Sequence, residues 1–324
     1  MLNHPRPTVY CSRCLEFDHC RFDGAMIKCD LVRDLKEVCD FVHDCPENEI
    51  GLGVPRRPVR IVEMDGIRHL VQPATGLDCT SSMERYISEL LDRIGGVDGI
   101  ILKAKSPTCG MGDVKIYPGP EKVPVKYMGD GFLGGEVLKR FSHLALEDEG
   151  RLQDARVRDH FLTKLYCIAR FREAEKGGKA RDLIDFHTRH KLLLMSQSQS
   201  EMRSMGRMVS SQKETGGEEV FREYGKHLSS AFKKGQRYTA IINTLMHGFG
   251  YVSENMSREE KGHFLDMLEL YREDRIPLAA VRETLKALVI RFDVEYLKDQ
   301  YFFEPYPVEL LRGYEPNRGR DLWK

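Results

Sequence analysis

No stretch of this sequence approaches the roughly 20 consecutive apolar residues that cross a bilayer. The first ten residues, which include His4, Pro5, Arg6 and Pro7, hold no apolar run of the kind a secretory leader carries. Net charge is missing too, because 50 Lys and Arg are matched by 50 Asp and Glu. No internal repeat and no low-complexity tract can be found. These absences exclude a helical membrane span and a solenoid, and they make the cytoplasm the expected compartment. Also absent are a compact ferredoxin-type cysteine run and any second Cys-x-x-Cys or His-x-x-x-His that would complete a zinc site with Cys11 and Cys14. Nine cysteines is an odd number, and in a chain of cytosolic character it argues against a disulfide framework.

What is present is a chain of 324 residues, long for one domain and natural for two. With 41% hydrophobic and 31% charged residues, each half can bury its own core without cross-links. Charge is tilted along the chain. Residues 151–324 carry 31 Lys and Arg against 26 Asp and Glu, and residues 1–150 carry 19 against 24. A mildly basic second half permits a nucleic-acid partner without requiring one. The cysteines are more uneven still, since eight of the nine lie before residue 110 and only Cys167 lies beyond.

The first half reads as α/β. Thr8-Val9-Tyr10 is β-prone, and Val59 to Val62 and His69 to Val71 form a strand pair around the turn Met64-Asp65-Gly66. Ser81 to Ile94 places Met83, Tyr86, Ile87, Leu90, Leu91 and Ile94 on one helical face, with Thr80 or Ser81 as its cap. Gly99 to Leu102 is a short buried strand that runs into the loop Lys105 to Gly110. Residues 118–135, rich in Gly and Pro, read as a loop. The second half reads as helical over Asp159–Glu175, Arg181–Met195, Phe221–Phe232, Tyr238–Met246, Arg258–Tyr271 and Leu278–Phe292, with a mobile connection at residues 210–218 and Pro305 and Pro307 after the last regular element. The expected architecture is a Rossmann-like α/β domain with a small, mostly parallel sheet over residues 1–150. An all-α domain over residues 151–324 follows it.

Three segments gather the chemistry: Ser12-Arg13-Cys14-Leu15 with Cys20-Arg21-Phe22-Asp23-Gly24; Cys45-Pro46-Glu47 with Gly51-Leu52-Gly53-Val54-Pro55-Arg56; and Leu102 to Gly110, which contains Lys103, Ser106 and Cys109. Each sets a cysteine in a Gly/Pro-rich turn beyond a strand-like run, where free backbone N–H groups can stabilise thiolate charge. Three cysteines from three loops suit an iron–sulfur cluster with one iron lacking a protein ligand, able to take a substrate sulfur as a Lewis acid. Spacing alone leaves a zinc module and a structural cluster open. Cys20, Cys29, Cys39 and Cys79 read as buried small residues, and Cys11 as a spare ligand.

Taken together, Ser-x-Cys-Leu, Cys-Pro-Glu, Gly-Leu-x-Val-Pro-Arg and Asp98-Gly-Ile-Ile-Leu-Lys-x-x-Ser-Pro-x-Cys-Gly110 make residues 8–145 resemble the thiouracil desulfidase (TudS-like) family. The resemblance implies a 4Fe–4S cluster on Cys14, Cys45 and Cys109 and catalytic roles for Glu47 and Ser106. The family's usual Cys-Leu-x-Gly is replaced here by Cys14-Leu15-Glu16-Phe17, and its usual Tyr before Asp-Gly by Phe22. Residues 155–315 resemble the YbgA-like domain through Phe186-His187-Thr188-Arg189-His190-Lys191, Asn243 to Tyr251, Arg275-Ile276-Pro277-Leu278, Gln300-Tyr301-Phe302 and Pro305-Tyr306-Pro307. The pairing is similar to tRNA 4-thiouridine desulfidases (RudS-like), which implies tRNA as partner, RNA binding by the helical half and no net electron transfer. The expected chemistry has Glu47 activate water and Ser106 position or protonate the base. Arg56 and Lys103 are expected to orient base or phosphate. Lys233, Lys234 and Arg237, with Lys226, His227, Tyr224 and Tyr238 nearby, are the candidate RNA contacts. On α-helical spacing His187 and His190 share a face, which suits either a metal or hydrogen bonds within the fold. The rivals are a desulfidase of the free base, a nucleic-acid-binding or repair-associated protein with a structural cluster, and a zinc-binding interaction module.

Overall fold

Short runs of β-branched residues buried on both faces make parallel strands, and this pattern builds the first half. In the computed structural model, which describes residues 2–121, 123–211 and 217–311, β1 (Thr8–Ser12) lies between β2 (Asp40–Asp44) and β6 (Gly99–Leu102), and β9 (Ala145–Asp148) flanks β6. All three pairings are parallel. Side chains alternate between the two faces. Val9, Cys11 and Ile101 pack with α1 (Asp30–Val38) and the start of α5 (Ala155–Gly177). Tyr10, Ile100 and Leu102 pack on the other face with α3 (Thr80–Arg93) and α4 (Phe132–Arg140). Helices thus cover both faces of a parallel sheet, the Rossmann-like arrangement expected.

A second sheet joins β3 (Arg60–Met64), β4 (Ile67–Gln72), β5 (Leu77–Asp78), β7 (Val114–Tyr117) and β8 (Tyr127–Gly129) in the order β5-β4-β3-β7-β8. The β3–β4 hairpin forms on the expected turn, where Asp65 and Gly66 both take positive φ. Two expectations are corrected. Residues 118–135 are not one loop, because β8 and the first turns of α4 lie within them. Neither Thr80 nor Ser81 caps α3. Its N-cap is Cys79, and the Thr80 hydroxyl instead accepts from Leu70 N at 2.8 Å, tying the helix to β4. The edge strand β2 is the strand-like run expected before Cys45, and its bounds are not legible in the sequence because Asp40, His43 and Asp44 dilute its apolar signal. Such polarity is how edge strands avoid pairing with other chains.

The helical half runs through α5, α6 (Ala180–Gln197), α7 (Gln199–Ser211), α8 (Glu218–Ala231), α9 (Tyr238–Val252), α10 (Arg258–Arg272), α11 (Leu278–Arg291) and α12 (Glu295–Lys298). The four-residue α2 (Pro46–Glu49) completes the helices of the described chain. All six expected helices are present, and α7 and the four-residue α12 are the additions. Most of the expected mobile connection, residues 212–216, lies outside the described residues. Asp154 caps α5 by accepting from Arg156 N and Val157 N at 2.8 and 3.0 Å. This helix belongs to both cores. Phe161, Leu162, Leu165 and Tyr166 lie on the sheet, while Cys167 and Phe171 enter the helical core. The closing segment returns to the first half, where Tyr306 Oη donates to Asp159 at 2.6 Å and Tyr306 and Leu310 fill the same core as Val9. No helix among the described residues is long and apolar enough to cross a membrane.

Candidate active site

Three adjacent parallel strands end at one edge of the sheet, and each delivers a cysteine. β1 leads into Cys14, β2 into Cys45, and β6 into the loop that holds Ser106 and Cys109. Ser12 lies level with Asp44, and Cys11 with Ile101, so the three loops leave the sheet together. β2 and β6 lie on opposite sides of β1, and this reversal of strand order opens a crevice at the carboxyl ends.

Cys14, Cys20 and Cys45 lie close together in that crevice, Cys20 being unexpected, and Cys109 on the β6 loop lies within electrostatic range of Cys45. The Cys20 thiol hydrogen-bonds those of Cys14 and Cys45. Cys45 Sγ also donates to the Cys20 carbonyl at 3.6 Å and receives Arg56 Nη2 at 3.8 Å. The hydroxyls of Ser12 and Ser106 lie beside the Cys109 thiol and favour its thiolate. Contact with the Cys14 thiol, then burial, pushes Cys20 up to about 11, and burial pushes Cys109 up to about 12. The Cys20 thiol, and after it burial, raises Cys45 as well. All three thiols are therefore protonated near neutral pH in the free protein, and a group binding their thiolates would displace protons. Among the described residues no three His, Cys, Asp or Glu side chains are grouped for a single metal ion. Soft sulfur donors from separate loops fit an iron–sulfur core, in which each thiolate holds a different iron.

Beside the thiols stands Glu47, in the first turn of α2, whose N-cap is Cys45. Its carboxylate is held from both ends. Arg56 Nε and Nη2 donate to Oε2 at 2.9 and 2.7 Å, and Thr108 Oγ1 donates to Oε1 at 2.9 Å. Arg56 was expected to touch substrate. Its side chain is instead only 4% exposed, and it also donates to the carbonyls of Cys20 and Gly53, both at 3.0 Å. It is an internal brace linking two cysteine loops to Glu47. Lys103 is likewise committed, with its ammonium paired to Glu149 and donating to the Ala104 carbonyl at 2.8 Å. Ser106 Oγ accepts from Thr108 N and Cys109 N at 3.2 and 3.1 Å, which shapes the Cys109 loop and keeps the hydroxyl beside the Cys109 thiol.

That loop is seated on the N-terminus of α4. Leu133 N and Gly134 N donate to the Thr108 carbonyl at 2.8 and 3.1 Å, and Gly131 N donates to that of Gly110 at 2.9 Å. A Cβ at Gly134 would lie 2.0 Å from the Gly110 carbonyl oxygen, so only glycine allows the approach. Sequence reading missed Cys20, Thr108, Ser12 and Gly134 as site residues. The cue for Cys20 was its place in Cys20-Arg21-Phe22-Asp23-Gly24; for Thr108 and Gly134 no local cue exists.

In the helical half, Lys233, Lys234 and Arg237 are exposed and carry no ion pair among the described residues, and Tyr238 beside them is 56% exposed. The rest of the expected basic group is otherwise engaged. Lys226 pairs with Glu223 at 2.6 Å and His227 with Glu201 at 2.6 Å, and Tyr224 is fully buried and cannot stack on a base. His187 and His190 do not converge on a shared ligand. His187 Nδ1 bonds Tyr224 Oη at 2.9 Å, and His190 Nδ1 bonds the Phe186 carbonyl at 2.7 Å.

Residues 9–149, which build this crevice, match the family described as 2-thiouracil desulfurase. The first half is therefore similar to a family described by thiouracil desulfuration. Residues 191–307 match a family described as a protein of unknown function, DUF1722. The uncharacterized protein YbgA of Escherichia coli (strain K12) is 23% identical over 151 residues, spanning 46% of this chain and 89% of that protein. Among solved structures, the 4Fe–4S-dependent thiouracil desulfidase TudS is 28% identical and covers 46% of this chain and 94% of its own, with a TM-score of 0.37. The chain is a fusion of a TudS-like region with a YbgA-like region.

Proposed function

We propose that the protein removes sulfur from thiolated uracil, with 4-thiouridine in tRNA as its substrate, at a 4Fe–4S cluster held by Cys14, Cys45 and Cys109. The observation that carries this reading is a fixed carboxylate, Glu47, set against thiols that converge from three strand ends. A bound cluster with one iron free of protein ligands supplies a Lewis acid for the thiocarbonyl sulfur. The side chains do the rest. Glu47 takes a proton from water as it adds to the ring carbon; Arg56 and Thr108 keep the carboxylate aimed, and Oε1, which accepts only from Thr108, retains a lone pair. Ser106 directs its hydroxyl hydrogen toward the base. Water and thiocarbonyl become carbonyl and hydrogen sulfide, with no net oxidation. The exposed Lys233, Lys234 and Arg237, with Tyr238, serve the RNA backbone and a stacked base.

The test is anaerobic reconstitution followed by incubation with 4-thiouridine-containing tRNA, monitoring loss of the near-ultraviolet thiouridine absorbance. Glu47→Ala should abolish turnover while the cluster spectrum stays intact; a fully active variant would overturn the role given to Glu47. Free 4-thiouracil is the parallel arm. The family match to residues 9–149 alone favours a free-base reading, and faster turnover of the free base than of tRNA would establish it.

A further inference from the structure

The stretch Phe186 to Lys191 on α6 has no part in the desulfuration chemistry, yet it lines a cavity of about 450 Å³ together with residues of α7, α9 and α12. That volume lies within the range of small-molecule sites. Its lining includes His187, Thr188, Lys191, Gly206, Tyr251 and Tyr296, and no carboxylate. Lys191 has no ion pair among the described residues, so the cavity carries one uncompensated positive charge. His187 presents its Nε2 edge, because Nδ1 is taken by Tyr224 Oη at 2.9 Å. Tyr251 is 42% exposed and stands 5.4 Å from the Tyr296 ring, centroid to centroid.

Gly206 adds an independent indication. It sits inside α7, where glycine costs about 1 kcal/mol relative to alanine. A Cβ there would stand 3.3 Å from His187 Nε2 and crowd the edge that faces the cavity. The missing side chain keeps that nitrogen open.

We propose that this cavity binds a nucleotide, with its phosphate on Lys191, its polar edge on His187 Nε2 and its ring on Tyr251. A single cation without carboxylates selects an anion, and the aromatic wall selects a base over a bare phosphate. The nucleotide is either a free mononucleotide or one residue of an RNA strand. The assignment rests on the cavity and is independent of the desulfuration reading.

The experiment is equilibrium binding of UMP, uridine, inorganic phosphate and a uridine pentanucleotide to the full chain by calorimetry. UMP should bind, with Lys191→Ala weakening it about tenfold, the worth of one charge-assisted hydrogen bond. Uridine should bind more weakly and be indifferent to that variant. Gly206→Ala, which favours the helix and so keeps the fold, should also weaken UMP. Tighter binding of the pentanucleotide points to RNA as the source; equal or weaker binding points to the mononucleotide. Desulfuration of free 4-thiouracil should be unchanged in both variants, which separates this site from the cysteine crevice. No UMP binding, indifference to both variants, or inorganic phosphate binding as tightly as UMP would each overturn the assignment.

Discussion

Replacing Gly134 with alanine asks whether the seat of the Cys109 loop on α4 is what makes the crevice. The added Cβ would lie 2.0 Å from the Gly110 carbonyl oxygen and 2.8 Å from that of Cys109. Ordinary contact is about 3.4 Å, so the loop must retreat by about 1.4 Å, because backbone cannot turn aside as a side-chain tip can. Overpacking of this kind costs about 1–3 kcal/mol. The retreat also stretches the bonds from Leu133 N and Gly134 N to the Thr108 carbonyl, now 2.8 and 3.1 Å. Thr108 holds Glu47, so one displacement moves a thiol and the carboxylate together. A misplacement of about 1 Å in an active site costs on the order of a hundredfold in rate. The assay pairs a urea titration of the cluster-free protein with iron content and desulfuration rate after reconstitution. Gly262→Ala is the control, because that helical glycine has nothing within 4 Å of its missing Cβ and should gain about 0.5–1 kcal/mol with activity unchanged. If Gly134→Ala loaded iron fully and turned over at the parent rate, the loop-seating account would be wrong.

The Arg56 brace gives a second prediction. Arg56→Ala leaves the Glu47 carboxylate, whose side chain is 12% exposed, without its cation, at a cost of about 3–5 kcal/mol in the urea midpoint analysis. Arg56→Lys keeps the charge but cannot span Glu47 and the Cys20 and Gly53 carbonyls at once, so it should fold and lose at least about tenfold in activity. Parent-like turnover in the lysine variant would assign the arginine a charge role only. A third prediction concerns acid. Burial holds His187 and His4 at about 4, against 6.5 for the free side chain. Below 6.5 the unfolded chain gains protons that the native state refuses. Stability is therefore complete above pH 6.5 and falls toward pH 4, by about 3 kcal/mol for each histidine. Asp98, raised to about 6 by burial, keeps its proton in the native state and offsets part of this loss. Urea midpoints at pH 7.5 and 4.5 should show the fall, and His187→Gln should flatten it; equal midpoints in the parent would contradict the sign.

How much of this was legible beforehand depends on the range of the interaction. Strand β6, helix α3 and the Asp65-Gly66 hairpin turn announce themselves locally, through an apolar run, a 3.6-residue period and a turn that favours positive φ. The segments bearing Cys14, Cys45 and Cys109 were equally plain, because Gly/Pro-rich turns after strand-like runs are a local pattern. The bounds of β2, the strand-like run before Cys45, were not, since polar residues on an edge strand blur where it begins. Helix α5 begins just past residue 150, and its two ends are claimed by different cores, which no local period can express.

The sequence by itself determined the strands and helices, the chemical type of the site and the residues able to serve it, since backbone propensity and donor chemistry belong to single residues and their near neighbours. Only the tertiary structure decided which groups work together: Cys20 bridging Cys14 and Cys45, Arg56 turned inward onto Glu47, Lys103 spent on Glu149, and Gly134 seating the Cys109 loop. Strand order sets those partnerships. Three parallel strands must lie side by side before their loops can meet, and contacts between residues so far apart in the chain leave no mark on either stretch alone.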